Sequence, residues 1–389
     1  MVHMTKVTME WETLLNDCVD FAQRLIRTPS MPGQEGAIAA LIAGELARLG
    51  YDEVWDDPAG NIFGRVYGQD RTLPALALNT HLDHVDPGDP ALWPAPPFAA
   101  EIRDGRLIGR GACDIKGPLA VQVYSAAGLL RAGERPRRDV VFCGVAQEEV
   151  GGAGARYWAQ HLDYPVELVI LGEPSANALA VGHRGIVQFR LTFHGRSAHA
   201  SAPERAVNPN YALASFLSRL ETAAAEQLRA HPVLGPTSVS PTIIEVDTTS
   251  INVTPAWTRV LLDFRTSSES VNSLVAFIDR LAGDSSHSLD YAEGMEPDDS
   301  DELIAGFYTA PDSQLVLRTR AALGRGMGRE PELIRYRFAT DGRHMAPYGI
   351  PVLGFAPGEE EMAHTAGESI SLDQMAESLR GHMQLLREF

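Results

Sequence analysis

Short apolar segments of this chain repeatedly end close to a histidine or an acidic residue. One such segment covers residues 76–80 and another covers residues 167–171. Both have the length of a buried strand. In an α/β protein the carboxyl ends of buried strands meet at one edge of the sheet, where catalytic groups and ligands are placed. The residues that we expect this arrangement to bring together are His81, Asp114, Glu148, Glu149, Glu173 and His364.

The first half of the chain alternates strand-like and helix-like segments. Residues 11–27 place apolar side chains on one helical face, and residues 34–49 form a second amphipathic segment that Gly50 ends. Residues 117–132 are rich in Ala and Leu and predict a further helix. Strands that alternate with helices predict an α/β fold with a mostly parallel sheet covered by helices.

The pattern changes near residue 182. Residues 186–193 alternate apolar and polar side chains over most of their length, as a strand with one solvated face does. The following segments give a strand-helix-strand-strand-helix order, which predicts a small α+β domain. A chain of 389 residues also exceeds one ordinary core. We therefore expect a catalytic domain formed by residues 1–181 and 295–389, interrupted by an inserted domain of residues 182–294.

The charge balance excludes several classes of partner. With 33 Lys and Arg against 51 Asp and Glu, the formal net charge is -18, which repels nucleic acid and anionic membranes. The sequence contains neither a secretory signal nor an apolar run of about 18 residues. Its three cysteines include no Cys-x-x-Cys pair. We therefore expect a cytoplasmic protein that binds neither nucleic acid nor membrane.

The chemistry of the acidic and histidine residues favours a metal site. Divalent ions such as zinc take imidazole and carboxylate ligands. Two ions can be held if one carboxylate bridges them, and several carboxylates close together need a cation to offset their repulsion. Zinc is the expected ion, with cobalt or manganese as alternatives. The candidate ligands are His81, Asp114, Glu149, Glu173 and His364.

Adjacent glutamates suit hydrolysis by a metal-activated water. Glu149 can bind the metal while Glu148 stays off it and takes a proton from the water. Asp83 can accept the second N–H of the His81 ring and fix its tautomer. Taken alone, each acidic residue would be interpreted as a surface charge and each histidine as a structural residue. Their shared position at the ends of apolar segments favours the metal site instead.

These residues carry a resemblance to a known family. The motifs are His81-x-Asp83, Gly109-Arg-Gly-Ala-Cys-Asp114-Ile-Lys-Gly117, Glu148-Glu149-x-Gly-Gly152, Gly172-Glu173-Pro-Ser175 and the late His364. In order and spacing, over nearly the whole chain, this series resembles the M20 family of metallopeptidases and deacylases. That family includes acetylornithine deacetylase, succinyl-diaminopimelate desuccinylase, aminoacylase and carboxypeptidase-type enzymes.

The resemblance implies two zinc ions, with Glu148 as general base and Asp83 as the carboxylate that orients a ligand. It also implies a homodimer formed through the inserted domain, in which His199 reaches the neighbouring subunit's active site and stabilises the developing oxyanion. From the residues alone, His199 is an ordinary loop histidine. The implied metal assignments are His81 and Glu173 on one ion, Glu149 and His364 on the other, and Asp114 as the bridge.

Three further residues of this chain resemble residues that bind substrate in the M20 family. Asn252 and Arg265 match positions that bind a substrate carboxylate, and Arg343, in the segment Thr340-Asp-Gly-Arg343, offers a guanidinium for a second one. From the residues alone, Arg265 fits equally well as a strand arginine paired with Asp263 or Glu269.

The expected function is a dinuclear zinc amidohydrolase that hydrolyses N-acyl amino acids, of the acetylornithine deacetylase or succinyl-diaminopimelate desuccinylase type. Its partner is then a small N-acyl amino acid or a short peptide. A carboxypeptidase or dipeptidase is the alternative, since it would use the same metals. A nonenzymatic metal-binding relative is a remote alternative, because such a chain would be expected to have lost Glu148 or a ligand, and none is lost.

Overall fold

The computed structural model describes residues 2–267, 269–292 and 306–389, with side chains from residue 10 onward. The chain forms two compact units. The first consists of Met1–Gly182, Tyr308–Tyr336 and Thr340–Phe389, and the second consists of His183–Phe307 and Arg337–Ala339. The domain boundary predicted between residues 294 and 295 lies outside the described residues and stays a prediction.

The helices and strands follow one another in three stretches of the chain. The first unit begins with α1 (Val2–Ile26), α2 (Gly36–Leu49), β1 (Glu53–Asp56), β2 (Ile62–Val66), β3 (Ala75–His81), β4 (Glu101–Arg103), β5 (Arg106–Ile108), α3 (Gly117–Arg131), β6 (Val140–Val145), α4 (Ala153–Gln160), β7 (Val166–Leu171) and β8 (Leu179–Ala180). The second unit contains β9 (Gly185–His194), β10 (Ala198–His199), α5 (Pro209–Gln227), β11 (Ala230–His231), β12 (Gly235–Pro236), β13 (Ser238–Val246), β14 (Val253–Thr254), β15 (Trp257–Thr266), α6 (Val271–Ala282) and β16 (His287–Tyr291). The first unit ends with α7 (Gln314–Met327), β17 (Leu333–Ile334), α8 (Gly342–Met345), β18 (Val352–Gly354), β19 (Ser369–Ser371) and α9 (Leu372–Glu388).

An eight-stranded sheet forms the centre of the first unit, in the order β1-β2-β6-β3-β7-β18-β8-β17. Strand β3 pairs in parallel with β6 and with β7, and β7 pairs in parallel with β18. The pairings of β1 with β2 and of β2 with β6 are antiparallel. Every residue of β3 and β6 is buried, because helices cover both faces of a sheet of this kind. The predicted α/β fold with a mostly parallel sheet is confirmed.

The second unit is built on a four-stranded antiparallel sheet in the order β13-β15-β9-β16. Alternate residues of β15 are buried, as the alternating sequence requires of a strand with one covered face. Three of them, Val260, Leu262 and Phe264, belong to one apolar cluster with side chains of α5 and α6. Strand β16 extends the predicted order of elements by one strand. The buried residues of β15 are Thr258, Val260, Leu262, Phe264 and Thr266.

One part of the first unit differs from a simple strand-end arrangement. Strand β5 pairs with β4 and β19 in a separate three-stranded sheet. Beyond it, Gly111 has a φ of 80°, which turns the chain into the tight turn Ala112–Lys116. Asp114 therefore lies in a turn at the start of α3 and does not follow a strand of the central sheet.

A buried carboxylate connects the first three helices. Glu45 of α2 is 3% exposed and accepts hydrogen bonds from Arg24 of α1 at 2.8 Å, from Arg48 at 2.5 Å and from the hydroxyl of Tyr124 on α3 at 2.5 Å. Although burial alone raises it, these hydrogen bonds lower the pKa of Glu45 to about 2.

Among the helices that the structure describes, none has the length and apolarity to cross a bilayer.

We predict that Glu45→Gln lowers the free energy of unfolding by roughly 2 kcal/mol at pH 7, because hydrogen bonds to a charged acceptor are lost. The lowered pKa of Glu45 makes its contribution present above the ordinary Glu pKa of 4.5 and lost as the pH falls toward about 2. The difference between wild type and Glu45→Gln should therefore shrink below pH 4.5. Urea unfolding from pH 7 to pH 3.5 measures it, with the exposed Glu12→Gln as control. A difference that stays constant with pH would contradict the ion-pair account.

Candidate metal centre

The carboxyl ends of three adjacent parallel strands place the first site residues. His81 is the last residue of β3 and lies opposite Val145, the last residue of β6. Beyond β6 the chain passes through Gln147 into the short 3-10 turn Glu148–Val150. On the other side of β3, strand β7 ends two residues before Glu173. The parallel pairing thus brings His81, the glutamate pair and Glu173 to one edge of the sheet.

Asp114 lies between two imidazoles. Its Oδ1 is 2.9 Å from Nε2 of His81, and its Oδ2 is 3.2 Å from Nε2 of His364. The residue itself is 8% exposed. A carboxylate with one oxygen directed to each of two imidazoles has the arrangement that a bridging ligand requires. The turn at residues 112–116 places Asp114 between the two imidazoles, although Asp114 follows no strand of the central sheet.

Glu149 and His364 complete this group. Oε1 of Glu149 is 3.2 Å from Nε2 of His364, so His364 contacts both Asp114 and Glu149. One ligand atom from each of His81, Asp114 and Glu149 lies within 4.8 Å of the others. The His364 side chain is half exposed, whereas that of His81 is buried. The cluster therefore opens to solvent on the His364 side.

Further carboxylates surround this cluster. Burial, and then the negative charge of Asp114, raise the pKa of Glu173 well above its ordinary value. Burial, followed by the charge of Asp341, does the same to the pKa of Glu148. Asp341 is 2% exposed, and burial raises its pKa to about 7. Burial first, and then the negative charge of neighbouring carboxylates, thus disfavour the ionised form of each of these groups.

The donor set fits divalent cations. It offers imidazole nitrogens and carboxylate oxygens in a buried, negatively charged environment, which is what zinc, cobalt or manganese require. Oδ1 of Asp341 supports this conclusion, because it is buried and has no hydrogen-bond partner among the residues that the structure describes. Nε2 of His344 lies 3.9 Å from this oxygen, which is beyond hydrogen-bond distance. A cation offsets both the crowding and the missing partner.

Asp83 makes different contacts from those expected. Nδ1 of His81 is 3.0 Å from the backbone carbonyl of Asp83 and 3.4 Å from its Oδ1, so the carbonyl is the nearer acceptor. The carboxylate oxygens instead accept the backbone N–H groups of Glu148 and Glu149, each at 3.1 Å. Asp83 therefore fixes the His81 ring mainly through its main chain and holds the glutamate pair through its side chain.

The sequence did not reveal Glu368 as part of this centre. Glu368 is fully buried, and its Oε1 accepts the backbone N–H groups of Cys113 and Asp114 at 2.9 and 3.0 Å. Its Oε2 accepts a hydrogen bond from Arg110 at 2.5 Å. Since Glu368 lies four residues after His364, one carboxylate joins the segments that carry Asp114 and His364. Nothing local marks this role, because the partners are more than 250 residues away in sequence.

Of the predicted substrate-binding residues, Arg343 lies in the same compact unit as the cluster. It belongs to α8, and its Nε donates to Nε2 of His344 at 3.2 Å. Its positive charge lowers the pKa of Glu148 and of Asp341, against the larger effect of burial. The Arg343 guanidinium therefore lies near two of the carboxylates that surround the cluster.

The other three predicted residues belong to the second unit. The exposed His199 pairs with Val253 between β10 and β14, and Asn252 accepts the N–H of Ala200 at 2.9 Å through its carbonyl. His199 and Asn252 are therefore on neighbouring segments of that unit. Arg265 donates to Oδ1 of Asp263 at 2.8 Å, which is the pairing that the sequence offered as an alternative to substrate binding.

Comparison with known proteins identifies a family and a fold. Residues 77–388 match the family model described as Peptidase family M20/M25/M40. A succinyl-diaminopimelate desuccinylase of Alkalilimnicola ehrlichii is 30% identical over 360 residues, which cover 88% of this chain and 91% of the relative.

Solved structures share the fold at low sequence identity. Aminopeptidase PepT from Bacillus cereus superposes with a TM-score of 0.77 at 19% identity, covering 97% of this chain and 98% of that one. The YXEP protein of Bacillus subtilis, a dinuclear metal-binding peptidase of the M20 family, superposes with a TM-score of 0.72 at 16% identity, covering 96% and 98%.

We predict that Asp114→Asn weakens the binding of divalent ions by at least about tenfold, because it removes the charge between the two imidazoles. Titration of the metal-free protein with zinc, followed by calorimetry, measures the affinity and the number of ions bound. Asp373→Asn, an exposed change at the start of α9, is the matched control and should bind as wild type does. Equal zinc affinity in wild type and Asp114→Asn would refute this assignment of the cluster.

Proposed function

Because the chain belongs to peptidase family M20/M25/M40, a family of hydrolases that act on amide bonds, we propose that it is a dinuclear zinc-dependent deacylase of N-acyl amino acids. The observation that carries this proposal is the position of Asp114, with one carboxylate oxygen directed to His81 and the other to His364. A single bridging carboxylate is what two adjacent ions need. The desuccinylase relative supports an acylated amino acid as substrate.

The proposed ligands divide between two ions. When bound, the ions polarise the amide carbonyl and lower the pKa of the attacking water. Zinc is favoured by the mixture of imidazole and carboxylate donors, with cobalt or manganese as alternatives. The assignment is His81 and Glu173 to one ion, Glu149 and His364 to the other, and Asp114 to both.

Glu148 is the proposed general base. Its backbone N–H is held by Asp83, and its neighbour Glu149 belongs to the ligand cluster. The Glu148 side chain would therefore stand beside the ions without being one of the assigned ligands. It takes a proton from the water as the oxygen–carbon bond forms. It then delivers that proton to the amine nitrogen as the amide C–N bond breaks. Water and amide are thereby converted to acid and amine with no other reactant.

The proposed substrate carries at least one carboxylate. Arg343 is the candidate for binding a second carboxylate, such as the free end of a succinyl group, because a guanidinium binds a carboxylate with two parallel hydrogen bonds. Asn252 and Arg265 are proposed to bind the amino acid carboxylate. For Arg265 this requires the substrate to compete with Asp263, its partner in the structure. His199 is proposed to stabilise the oxyanion from the neighbouring subunit.

A homodimer is proposed because, among the residues that the structure describes, no further strand pairs with the β13 edge of the sheet in the second unit. Strand β13 is an edge strand, and nearly all of its residues are exposed. Ile243 and Ile244 are 52% and 57% exposed, which is unusual for β-branched residues in a strand. An exposed apolar edge strand is a template for pairing with another chain.

The three buried free cysteines, Cys18, Cys113 and Cys143, support a reducing, cytoplasmic location.

We predict that Glu148→Gln lowers kcat by about 10²- to 10⁴-fold, because it removes the general base while the ligands remain. The assay compares zinc-loaded wild type and variant on N-succinyl-diaminopimelate, N-acetylornithine, other N-acetyl amino acids and several dipeptides. Glu221→Gln, an exposed change on α5, is the control and should keep full activity.

The substrate panel decides between the candidate functions. Preference for an N-acyl amino acid, lost in Glu148→Gln, supports the deacylase and names its acyl group. Cleavage of dipeptides alone moves the assignment to a peptidase of the same family. No turnover of any substrate by a protein that binds two zinc ions overturns the enzymatic proposal.

We predict that Ile244→Asp converts the dimer to a monomer, since a charge on an edge strand prevents strand pairing. Sedimentation velocity at micromolar protein concentration measures the mass. Leu317→Asp is the control, because Leu317 is an apolar residue that is 45% exposed on α7 of the first unit, and it should leave the dimer intact. A wild-type protein that sediments as a monomer would exclude the proposed role of His199 across an interface.

A further inference from the structure

Three successive backbone N–H groups next to the proposed general base are held by two buried carboxylates. Asp83 accepts the N–H of Glu148 and the N–H of Glu149, each at 3.1 Å. The N–H of Gln147, the residue before them, is accepted at 3.1 Å by Oε1 of Glu35. Groups at the start of a helical turn have no partner within the turn, so these carboxylates supply what the turn lacks.

Glu35 reaches this position from a distant part of the chain. It directly precedes α2 and is 6% exposed. The same oxygen accepts the N–H of Gly33 at 3.0 Å, which fixes the side chain against its own loop. A buried carboxylate that accepts its hydrogen bonds from main-chain N–H groups holds the backbone in place beside the candidate site.

Gln147 needs such support because its backbone conformation is unfavourable. Its φ of 61° and ψ of 36° lie in the left-handed region, which residues other than glycine rarely adopt. Its carbonyl accepts the N–H of Gly152 at 2.8 Å, which holds the peptide unit on the other side of the Gln147 Cα. A conformation of this kind persists only where its surroundings impose it. The hydrogen bond from Gln147 to Glu35 is one of the contacts that do so.

We propose that Glu35 is a positioning residue for Glu148. It holds the left-handed Gln147, and this sets the direction in which the chain enters the turn that carries Glu148 and Glu149. Together with Asp83 it fixes three consecutive peptide units, so the Glu148 carboxylate keeps one orientation toward the substrate. This inference rests on the proposed role of Glu148 as general base.

The test uses four variants of the full-length, zinc-loaded protein. Glu35→Ala removes the acceptor, and Glu35→Gln keeps an oxygen that can accept the same N–H. Glu35→Ala/Gln147→Gly removes the acceptor but places at position 147 a residue that adopts positive φ without penalty. Glu35→Ala/Gln147→Ala is its matched control, because alanine retains the penalty.

Two readouts are measured. The first is kcat and KM on the preferred substrate, with bound zinc counted in each variant. We expect Glu35→Ala to lower kcat by about 10- to 100-fold, as misplacement of a catalytic group does, with KM and zinc content unchanged. Glu35→Gln and Glu35→Ala/Gln147→Gly should recover most of this loss, and Glu35→Ala/Gln147→Ala should not.

The second readout does not depend on activity. Hydrogen–deuterium exchange followed by mass spectrometry reports protection of the peptide that contains residues 147–149. Glu35→Ala should exchange faster there than wild type, and Glu35→Gln should exchange as wild type does. Unchanged exchange in Glu35→Ala, or equal activity of the glycine and alanine double variants, would overturn the proposal. A wild type with no amidase activity but with the expected exchange pattern would instead refute the general-base role and leave the positioning contact standing.

Discussion

Crowding of buried carboxylates at one edge of a parallel sheet is the constraint on which the first unit depends. Burial raises the pKa values of Glu173, Glu148 and Asp341, and the negative charge of neighbouring carboxylates raises them further. Such a group of anions is unfavourable unless cations occupy the space between them. The fold brings the anions together by ending β3, β6 and β7 at the same edge. The proposed metal ions would offset the stability that is lost there.

The main chain around the centre is held by acidic side chains that do not belong to the proposed ligand set. Asp83 holds the amides of the glutamate pair, and Glu368 holds the amide of Asp114 and the one before it. Glu35 does the same for Gln147. Each of these carboxylates is buried. The geometry of the candidate centre is therefore fixed through the backbone, which leaves the side chains of the ligand cluster available for the proposed ions.

The sequence predicted the elements that follow local rules. Alternation of strands and helices gave the α/β fold, and the alternating pattern of residues 186–193 matched a strand of the second unit with one covered face. His81, Glu149 and Glu173 were predicted as ligands because each follows or ends an apolar segment, and the structure brings ligand atoms of His81 and Glu149 close together. Features that depend on contacts across long stretches of sequence were not found. Such features leave no local signal, since each is defined by partners that only folding brings close. They are the buried Glu368 and Glu35, the tight turn that carries Asp114, and the amide contacts of Asp83.

The central claim is that this cluster holds two ions with Asp114 between them. Anomalous diffraction from crystals of the zinc-loaded protein, with data collected on both sides of the zinc absorption edge, tests it most directly. The account predicts two zinc peaks about 3.5 to 4 Å apart, one beside His81 and Glu173, the other beside Glu149 and His364, and Asp114 in contact with both. A single peak, or two peaks that Asp114 does not bridge, would contradict it.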